Sequence, residues 1–572
     1  MSLADLTAER DSPAWTRLAL LAFAAFLVLP HLLHSPLTVS EGIMAGTARG
    51  FLESGDFTRL RHLGRPIHQY PLYPWLLAVF GLEQGPDWLI RVPAVAGWLA
   101  MAALAWFTAA KSGGEFAGLI AALVPLTCAA GYAAASVASN DIWFATILFA
   151  AWTAWYRLGA VQGRWDVAWG VSAGFVALAF FAGGPRAFVL FYLPLLVLRW
   201  PVKGREQMLR WGHLLALVLV VALSGTWLAH SLRHAEVLTW AQLVESAVPA
   251  DQGGYVQRLW QFPLRVVAWG LPWTLFAWPA FCQAFRPVEK APEQSAFLRT
   301  VATAVFVPCW LLPGVTVRSL LVLLGPLAVL TAMNYESLLR RHAAGYRRLL
   351  NLCTRAACGA AAIGVLAAVL LLTGWLEIPE LSFAEVSFAG ACVLLSVGFA
   401  VLLISSRGRA VWVRLLLTVA VATVVFRTFS LPFEALRSGR PRLAAHRLTE
   451  PLPDGYPLYV AADLSLAAIG HYITHPVVRL ASPAQLPQST PRVYLLAAGE
   501  PPVQEDLRWR ALGRPAAIGG GPPEVRILWM PASGAILRVD ITRPETQAEA
   551  ELAGADWVQL YEGTPRTLTT QP

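Results

Sequence analysis

The chain has 572 residues, of which 56% are hydrophobic and only 14% charged, with 24 Trp, 40 Pro and a formal net charge of +9. Soluble domains carry roughly 25% charged residues, so this composition excludes a disordered chain, a nucleic-acid-binding domain and an ordinary soluble enzyme. It predicts a polytopic membrane protein, and the first question is where the positive charge sits.

The N-terminal stretch MSLADLTAERDSPAWTR is polar and mixed in charge, and the apolar run after it has no small-residue cleavage site. That run reads as a retained first span rather than a signal peptide. Apolar runs long enough to span then follow at 88–110, 116–136, 142–159, 166–182, 187–200, 211–230, 264–285, 297–313, 319–334, 354–376, 385–405 and 410–428, which with 16–34 makes thirteen. Residues 71–82 (PLYPWLLAVFGL) are apolar but short and Pro-rich, which fits a membrane-surface or re-entrant helix.

Charge placement supports this count. With thirteen spans and a cytoplasmic N-terminus, the inner loops hold Arg199, Lys203, Arg205 and Arg210, then Arg286, Lys290 and Arg299, then the cluster from Arg340 to Arg355, then Arg407, Arg409 and Arg414. The opposite short loops at 137–141 and 377–384 hold no Lys or Arg. This is the positive-inside bias, and counting 71–82 as a span would invert every later loop. Two long outer loops result, 35–87 and 231–263. The tail from 431 to 572 changes character. It has strand-like runs at Tyr456–Ala462, Arg492–Ala498, Glu524–Met530 and Ala535–Ile541, a helix-like stretch near 464–474, and Pro and Gly between them. The expected architecture is an all-α membrane domain over 1–430 with a C-terminal α/β domain over 431–572 outside the membrane, periplasmic in a bacterium.

The six cysteines, Cys128, Cys282, Cys309, Cys353, Cys358 and Cys392, all lie in apolar stretches without metal-ligand spacing and read as small buried hydrophobes. His62 and His68, six apart in a loop, are a weak metal signal. No metal site is assigned, and a divalent cation as cofactor is left open.

Mid-span charges are nearly absent. A set of arginines sits instead at the outer ends of spans, against the positive-inside trend: Arg91, Arg186, Arg265, Arg318 and Arg427. A guanidinium binds phosphate oxygens bidentately and keeps its charge. Arginines at one membrane level therefore suggest a lipid phosphate, with snorkelling to headgroups as the alternative. Glu41 and Asp141 lie on the same face, where a carboxylate at a span mouth suits a general base. Asn140-Asp141 also suits a helix N-cap.

Seven strings follow one another along the chain: SEGIMAGTARGFLESGDF (40–57), GRPIHQYPLYPWLLAVF (64–80), IRVPAVAGWLA (90–100), SNDIWFATILF (139–149), FAGGPRAFVLFYLPLLVL (181–198), LPWTLFAWP (271–279) and RSLLVLLGPLAVL (318–330). In this order they resemble the polyprenyl-phosphate-sugar-dependent GT-C glycosyltransferases, nearest the ArnT-type aminoarabinose lipid A transferases and their protein O-mannosyltransferase relatives, and SLAAIGHYITHPVVRL (465–480) is weakly similar. The chain departs from the family at three places. Ser40 stands where the family has its first Asp, Gln69-Tyr70 near its Glu-Lys, and Gly183 where it has a Lys.

The resemblance implies an inverting transferase on the outer face of a bacterial inner membrane. A sugar passes from a polyprenyl-phosphate-linked donor to a lipid, glycan or protein acceptor, with membrane lipids as further partners and the chain a monomer. It implies Asp141 or Glu41 as base, Arg318 with Arg186, Arg265 and Arg91 at the donor phosphate, and Tyr70, His68 and Ser40 in the sugar pocket. Two other readings stay open. One is a non-catalytic relative acting as a lipid-binding or scaffold subunit of envelope assembly, which Ser40 and Tyr70 favour. The other is a transporter of lipid-linked sugars, which the lack of matching broken helices and mid-span charges disfavours.

Overall fold

The computed structural model describes residues 28, 29, 32, 37–63, 65–67, 69–233, 255–311, 317–373, 375–377, 383–405, 411–437 and 441–453; beyond these it describes 455–461, 464, 466, 469–473, 475–480, 485–486, 492–498, 507–519, 524–529, 537–542 and 555–565. The expected first span, His68 and most of the 231–263 loop lie outside the described residues.

The first described helix is α1 (Val39–Ser54), followed by a small hairpin, β1 (Arg61–His62) with β2 (Arg65–Pro66), and by α2 (Leu72–Val79). Next come α3 (Asp87–Gly113), α4 (Glu115–Thr127), α5 (Ala129–Ala135) and α6 (Asp141–Ala154), the last continuing as a π-helical turn, Trp155–Val161. α7 (Trp165–Gly183), α8 (Arg186–Val197), α9 (Gly204–Gln207), α10 (Trp211–Arg233), α11 (Tyr255–Trp269), α12 (Thr274–Ala277) and α13 (Pro292–Leu311) lead to a 3-10 turn, Val317–Leu323. α14 (Leu324–Leu372), β3 (Leu376–Glu377), α15 (Phe383–Ser405), α16 (Val411–Arg437) and α17 (Pro441–Thr449) complete the helical part.

Among the described residues, five helical stretches are long and apolar enough to cross a membrane: Asp87–Gly113, Trp165–Gly183, Trp211–His230, Arg318–His342 and Ala344–Leu371. The bent pair α4 and α5, angled by 62°, makes a sixth. The chain is thus a multi-pass membrane protein. Its lipid-facing surface is visible in large apolar side chains left open, such as Leu215 and Val218 on α10 and Leu394 on α15.

Several of the thirteen expected runs take a different form among the described residues, and local chemistry gives the reasons. The 116–136 run bends at Cys128, whose extended backbone follows Pro125. The 264–285 run is not one helix. α11 stops at Trp269, and Gly270, Pro272 and Pro279 divide the remainder into α12 and a 3-10 turn. The stretch expected as an inner loop, 335–353, is instead helical. α14 runs through it with one non-helical residue, His342, because NYESLLRRHAAGYRRLLN is rich in helix formers. The short helix expected at 71–82 is the eight-residue α2, partly buried rather than spanning.

The tail forms two sheets. β4 (Leu458–Val460), β5 (Val477–Arg479), β6 (Val493–Ala498), β7 (Leu507–Gly519) and β10 (Ala555–Pro565) make a five-stranded sheet in the order β5-β4-β6-β10-β7. β4 is parallel to β5 and β6, and β10 is antiparallel to β6 and β7. β8 (Glu524–Trp529) and β9 (Leu537–Thr542) pair antiparallel, and β9 also pairs with β3, a strand from between two helices of the bundle. A strand forms in each of the four strand-like runs. The helix-like 464–474 stretch yields only a 3-10 turn, Gly470–Tyr472, among its described residues, while α17 just upstream is a helix that the apolar pattern does not announce.

Candidate active site

The site is built where the first turns of α1, α6 and α8 meet the segment leading into α2. Thr38 caps α1. Its hydroxyl accepts the Glu41 N–H at 3.4 Å, and Glu41 Oε2 accepts the Thr38 N–H at 2.8 Å, a capping box. The same carboxylate does more than cap. Oε1 accepts Arg91 Nε at 2.7 Å and the Ala138 N–H at 2.8 Å, and Oε2 accepts Arg91 Nη2 at 3.0 Å. Glu41 and Arg91 are both buried. Glu41 therefore ties α1, α3 and the 137–140 loop to one point, and that loop delivers Asp141.

Asn140 does not cap α6. Its own backbone is helical and its side chain makes no capping bond. The amide turns the other way: Oδ1 accepts the Tyr73 N–H at 2.9 Å and Nδ2 donates to the Tyr70 carbonyl at 3.0 Å. Asp141 then opens α6, a position where the helix dipole favours a carboxylate. Arg186 opens α8. Its Nη2 lies 3.6 Å from Asp141 Oδ1, and each side chain is 27% exposed. The Arg186 guanidinium also lies 4.5 Å over the Phe144 ring, one helical turn after Asp141, in cation–π geometry. The Gly183-Gly184-Pro185 turn sets this up. Gly184 has φ 67° and ψ −152°, a conformation essentially reserved for glycine, and the Tyr70 ring fills the space a side chain there would need.

The expected residues thus divide into groups. Asp141, Arg186 and Tyr70 come together. Glu41 and Arg91 come together as well, but as an interior pair. Arg91, expected at the donor phosphate, lies buried with its Nε and Nη2 both bonded to the Glu41 carboxylate. Glu41 in turn has both oxygens engaged in five hydrogen bonds at 2.7–3.0 Å, which is the surrounding of an anchor rather than of a free base. Ser40 is exposed, its Oγ 3.2 Å from Thr38 Oγ1. Arg265 is exposed and bonded to Gln261 at 2.9 Å. Arg318 is exposed on the 3-10 turn that packs against α6. Among the described residues neither of these arginines pairs with Asp141. His68 and the Arg427 side chain lie outside the description. No three His, Cys, Asp or Glu side chains gather as a metal site among the described residues.

Next to this site the tail docks on the bundle. Asp87, in the first turn of α3, takes Arg442 Nη2 at 3.0 Å on one oxygen and the Tyr472 hydroxyl at 2.9 Å on the other, while Tyr472 accepts the Leu37 N–H at 3.2 Å. Arg479 Nε donates to the Leu63 carbonyl at 3.2 Å. His62 and His471 are buried at this seam. Burial pushes each imidazole pKa down to about 4, helped by Arg479 for His62 and by Arg49 for His471. His62 thus packs at the seam with the tail.

Together these features define a helical membrane bundle with a charged cluster at the mouths of its helices. More particularly, the fold is ArnT-like. The chain superposes on ArnT from Cupriavidus metallidurans bound to undecaprenyl phosphate with a TM-score of 0.64 at 16% identity, covering 85% of this chain and 94% of that one. Against the apo form of the same protein the TM-score is 0.62 at 17% identity, covering 85% and 93%. The oligosaccharyltransferase of Archaeoglobus fulgidus in its apo form aligns more distantly, with a TM-score of 0.43 at 15% identity, covering 82% and 65%. No protein-family model matches the chain, and no curated protein matches it by sequence.

Proposed function

We propose that the chain is a membrane glycosyltransferase that uses a polyprenyl-phosphate-linked sugar, with Asp141 as its general base. The observation that carries this reading is the Asp141–Arg186 pair beside Tyr70, half-open at the helix mouths of an ArnT-like fold. The Asp141 carboxylate takes the proton from an acceptor hydroxyl. The oxygen attacks the anomeric carbon, the bond from that carbon to the phosphate oxygen breaks, and polyprenyl phosphate leaves with inversion. Charge grows on the leaving phosphate, so a cation placed before the reaction begins lowers the barrier. Arg186 supplies that cation, and its loose 3.6 Å contact with Asp141 leaves room to turn toward a phosphate. Arg318 and Arg265, both exposed, extend the positive charge along the lipid headgroup level. Tyr70 lines the sugar pocket, and Glu41 with Arg91 holds the loop that presents Asp141.

On this reading the site faces the outer side of a bacterial inner membrane, the N-terminus is cytoplasmic, and the tail beyond residue 430 is an extracytoplasmic domain beside the acceptor route. The acceptor is a lipid, a glycan or a protein. Ser40, where the family carries an Asp, favours a second reading in which the chain binds a lipid phosphate without turnover. One experiment separates the two: sugar transfer from undecaprenyl-phosphate donors by wild type and Asp141→Asn in liposomes. The proposal expects transfer by wild type and a loss of about 100-fold or more in the variant. Equal activity would overturn the site, and absence of turnover with retained undecaprenyl phosphate binding would establish the second reading.

A further inference from the structure

We propose that Asn140 is the positioning residue of this site, holding Tyr70 and Asp141 in one fixed relation; this rests on the reading of Asp141, Arg186 and Tyr70 as the sugar-phosphate site. Asn140 is buried, and it is the residue immediately before Asp141. Its carbonyl accepts the Phe144 N–H at 2.9 Å, so it fixes the first turn of α6 and with it the ring on which Arg186 stacks. Its side chain fixes a different segment, through one bond received and one bond given, at the Tyr73 N–H and the Tyr70 carbonyl. An asparagine amide supplies an acceptor and a donor on two separate atoms, so it can hold both partners at once. The segment is pinned at its other end by the Tyr73 hydroxyl, which donates to the Ile90 carbonyl at 2.7 Å on α3. Tyr70 is thus suspended between Asn140 and the Gly184 turn, with its ring against the residue two positions before Arg186. A small displacement of such a ring changes the pocket without touching the base.

The test uses the full-length protein and two variants. Asn140→Asp keeps the size and the acceptor for Tyr73 but places an oxygen against the Tyr70 carbonyl, and Asn140→Ala removes both bonds. Each is expected to raise the KM for the undecaprenyl-phosphate-linked sugar about tenfold, while kcat changes less than KM. In a double-mutant cycle the Asn140→Ala effect should largely vanish in a Tyr70→Ala background, because the one acts through the other. A protein without turnover is read by its affinity for undecaprenyl phosphate in detergent micelles, which the Asn140 variants should weaken by about the same factor. Unchanged KM and affinity in both variants, or additive effects with Tyr70→Ala, would overturn the positioning role. Full transfer by Asp141→Asn would instead overturn the site reading on which it rests. Thermal unfolding of Asn140→Asp close to wild type separates positioning from loss of fold.

Discussion

Glu41 and Arg91 meet inside the protein through two hydrogen bonds, Arg91 Nε to Oε1 at 2.7 Å and Nη2 to Oε2 at 3.0 Å, with neither side chain reaching solvent. Desolvating two charges is expensive, and the pair stands because Thr38 and the Ala138 N–H share the carboxylate. Removing one partner leaves the other charge buried and uncompensated. Arg91→Ala should therefore lower stability by about 3–5 kcal/mol, read as a marked drop in the unfolding midpoint in detergent. The paired replacement Glu41→Gln with Arg91→Met should cost less than Arg91→Ala alone. If Arg91→Ala unfolds like wild type, the interior pair is not structural.

That pair marks the limit of what the sequence made legible. Arg91 and Arg186 look alike on paper, since each sits at the start of an apolar run at the same membrane level. Only the partner distinguishes them. Arg91 is 50 residues from Glu41 and buried on it, while Arg186 is 45 from Asp141 and half-open, and neither spacing is encoded locally. Apolar runs found α3, α7 and α10 because length and composition suffice for a buried or lipid-facing helix. The same test misjudged 264–285, where Gly270, Pro272 and Pro279 break the backbone without lowering apolarity. It misjudged 335–353 as well, where charged residues on a helix looked like a loop. Asn140 was legible as a cap but acts as a clamp, because its partners at 70 and 73 are set by tertiary packing. Arg442 and Tyr472 lie more than 350 residues from Asp87, and no local pattern announces them.

Gly184 gives a second prediction. Its backbone lies in a region that only glycine occupies readily, and the Tyr70 ring stands where a Cβ would go. Gly184→Ala combines backbone strain of about 1–3 kcal/mol with displacement of Tyr70. Donor KM should rise more than kcat falls. Gly174, in the middle of α7 with open space around its Cα, is the control, and Gly174→Ala should leave both unchanged or raise stability slightly. Equal behaviour of the two alanine variants would show that the Tyr70–Gly184 contact does not shape the pocket.

Tyr472 gives a third. Its hydroxyl donates to Asp87 and accepts from the Leu37 backbone, joining the tail to the entries of α1 and α3. Tyr472→Phe removes both bonds without changing the ring and should loosen docking by about 1–3 kcal/mol, since the partners lie partly buried. Arg442→Ala should do much less, because Arg442 is 67% exposed and its ion pair with Asp87 is screened. Hydrogen exchange at 470–480 checks the order, and a larger effect from Arg442→Ala would reverse it.

The seam between tail and bundle should also respond to acid. His62 faces Arg479, His471 and Arg49, while His471 faces Arg49 and Arg442, with Asp87 alone favouring its charged form. Both imidazoles are neutral when docked, with pKa values pushed down to about 4 from an ordinary 6.5. Above pH 6.5 the rings are neutral whether docked or released, so docking carries no proton penalty. As pH falls from 6.5 toward 4, the released state takes up protons that the docked state refuses, and docking weakens by up to about 1.4 kcal/mol per pH unit for each ring. Below pH 4 both states are protonated and the slope levels off. Hydrogen exchange at 470–480, corrected for intrinsic rates, should accelerate between pH 6.5 and 4.5 in wild type. His62→Phe with His471→Phe should flatten that dependence, because a phenyl ring fills the buried space with nothing to protonate. An equally steep response in the double variant would place the acid sensitivity elsewhere.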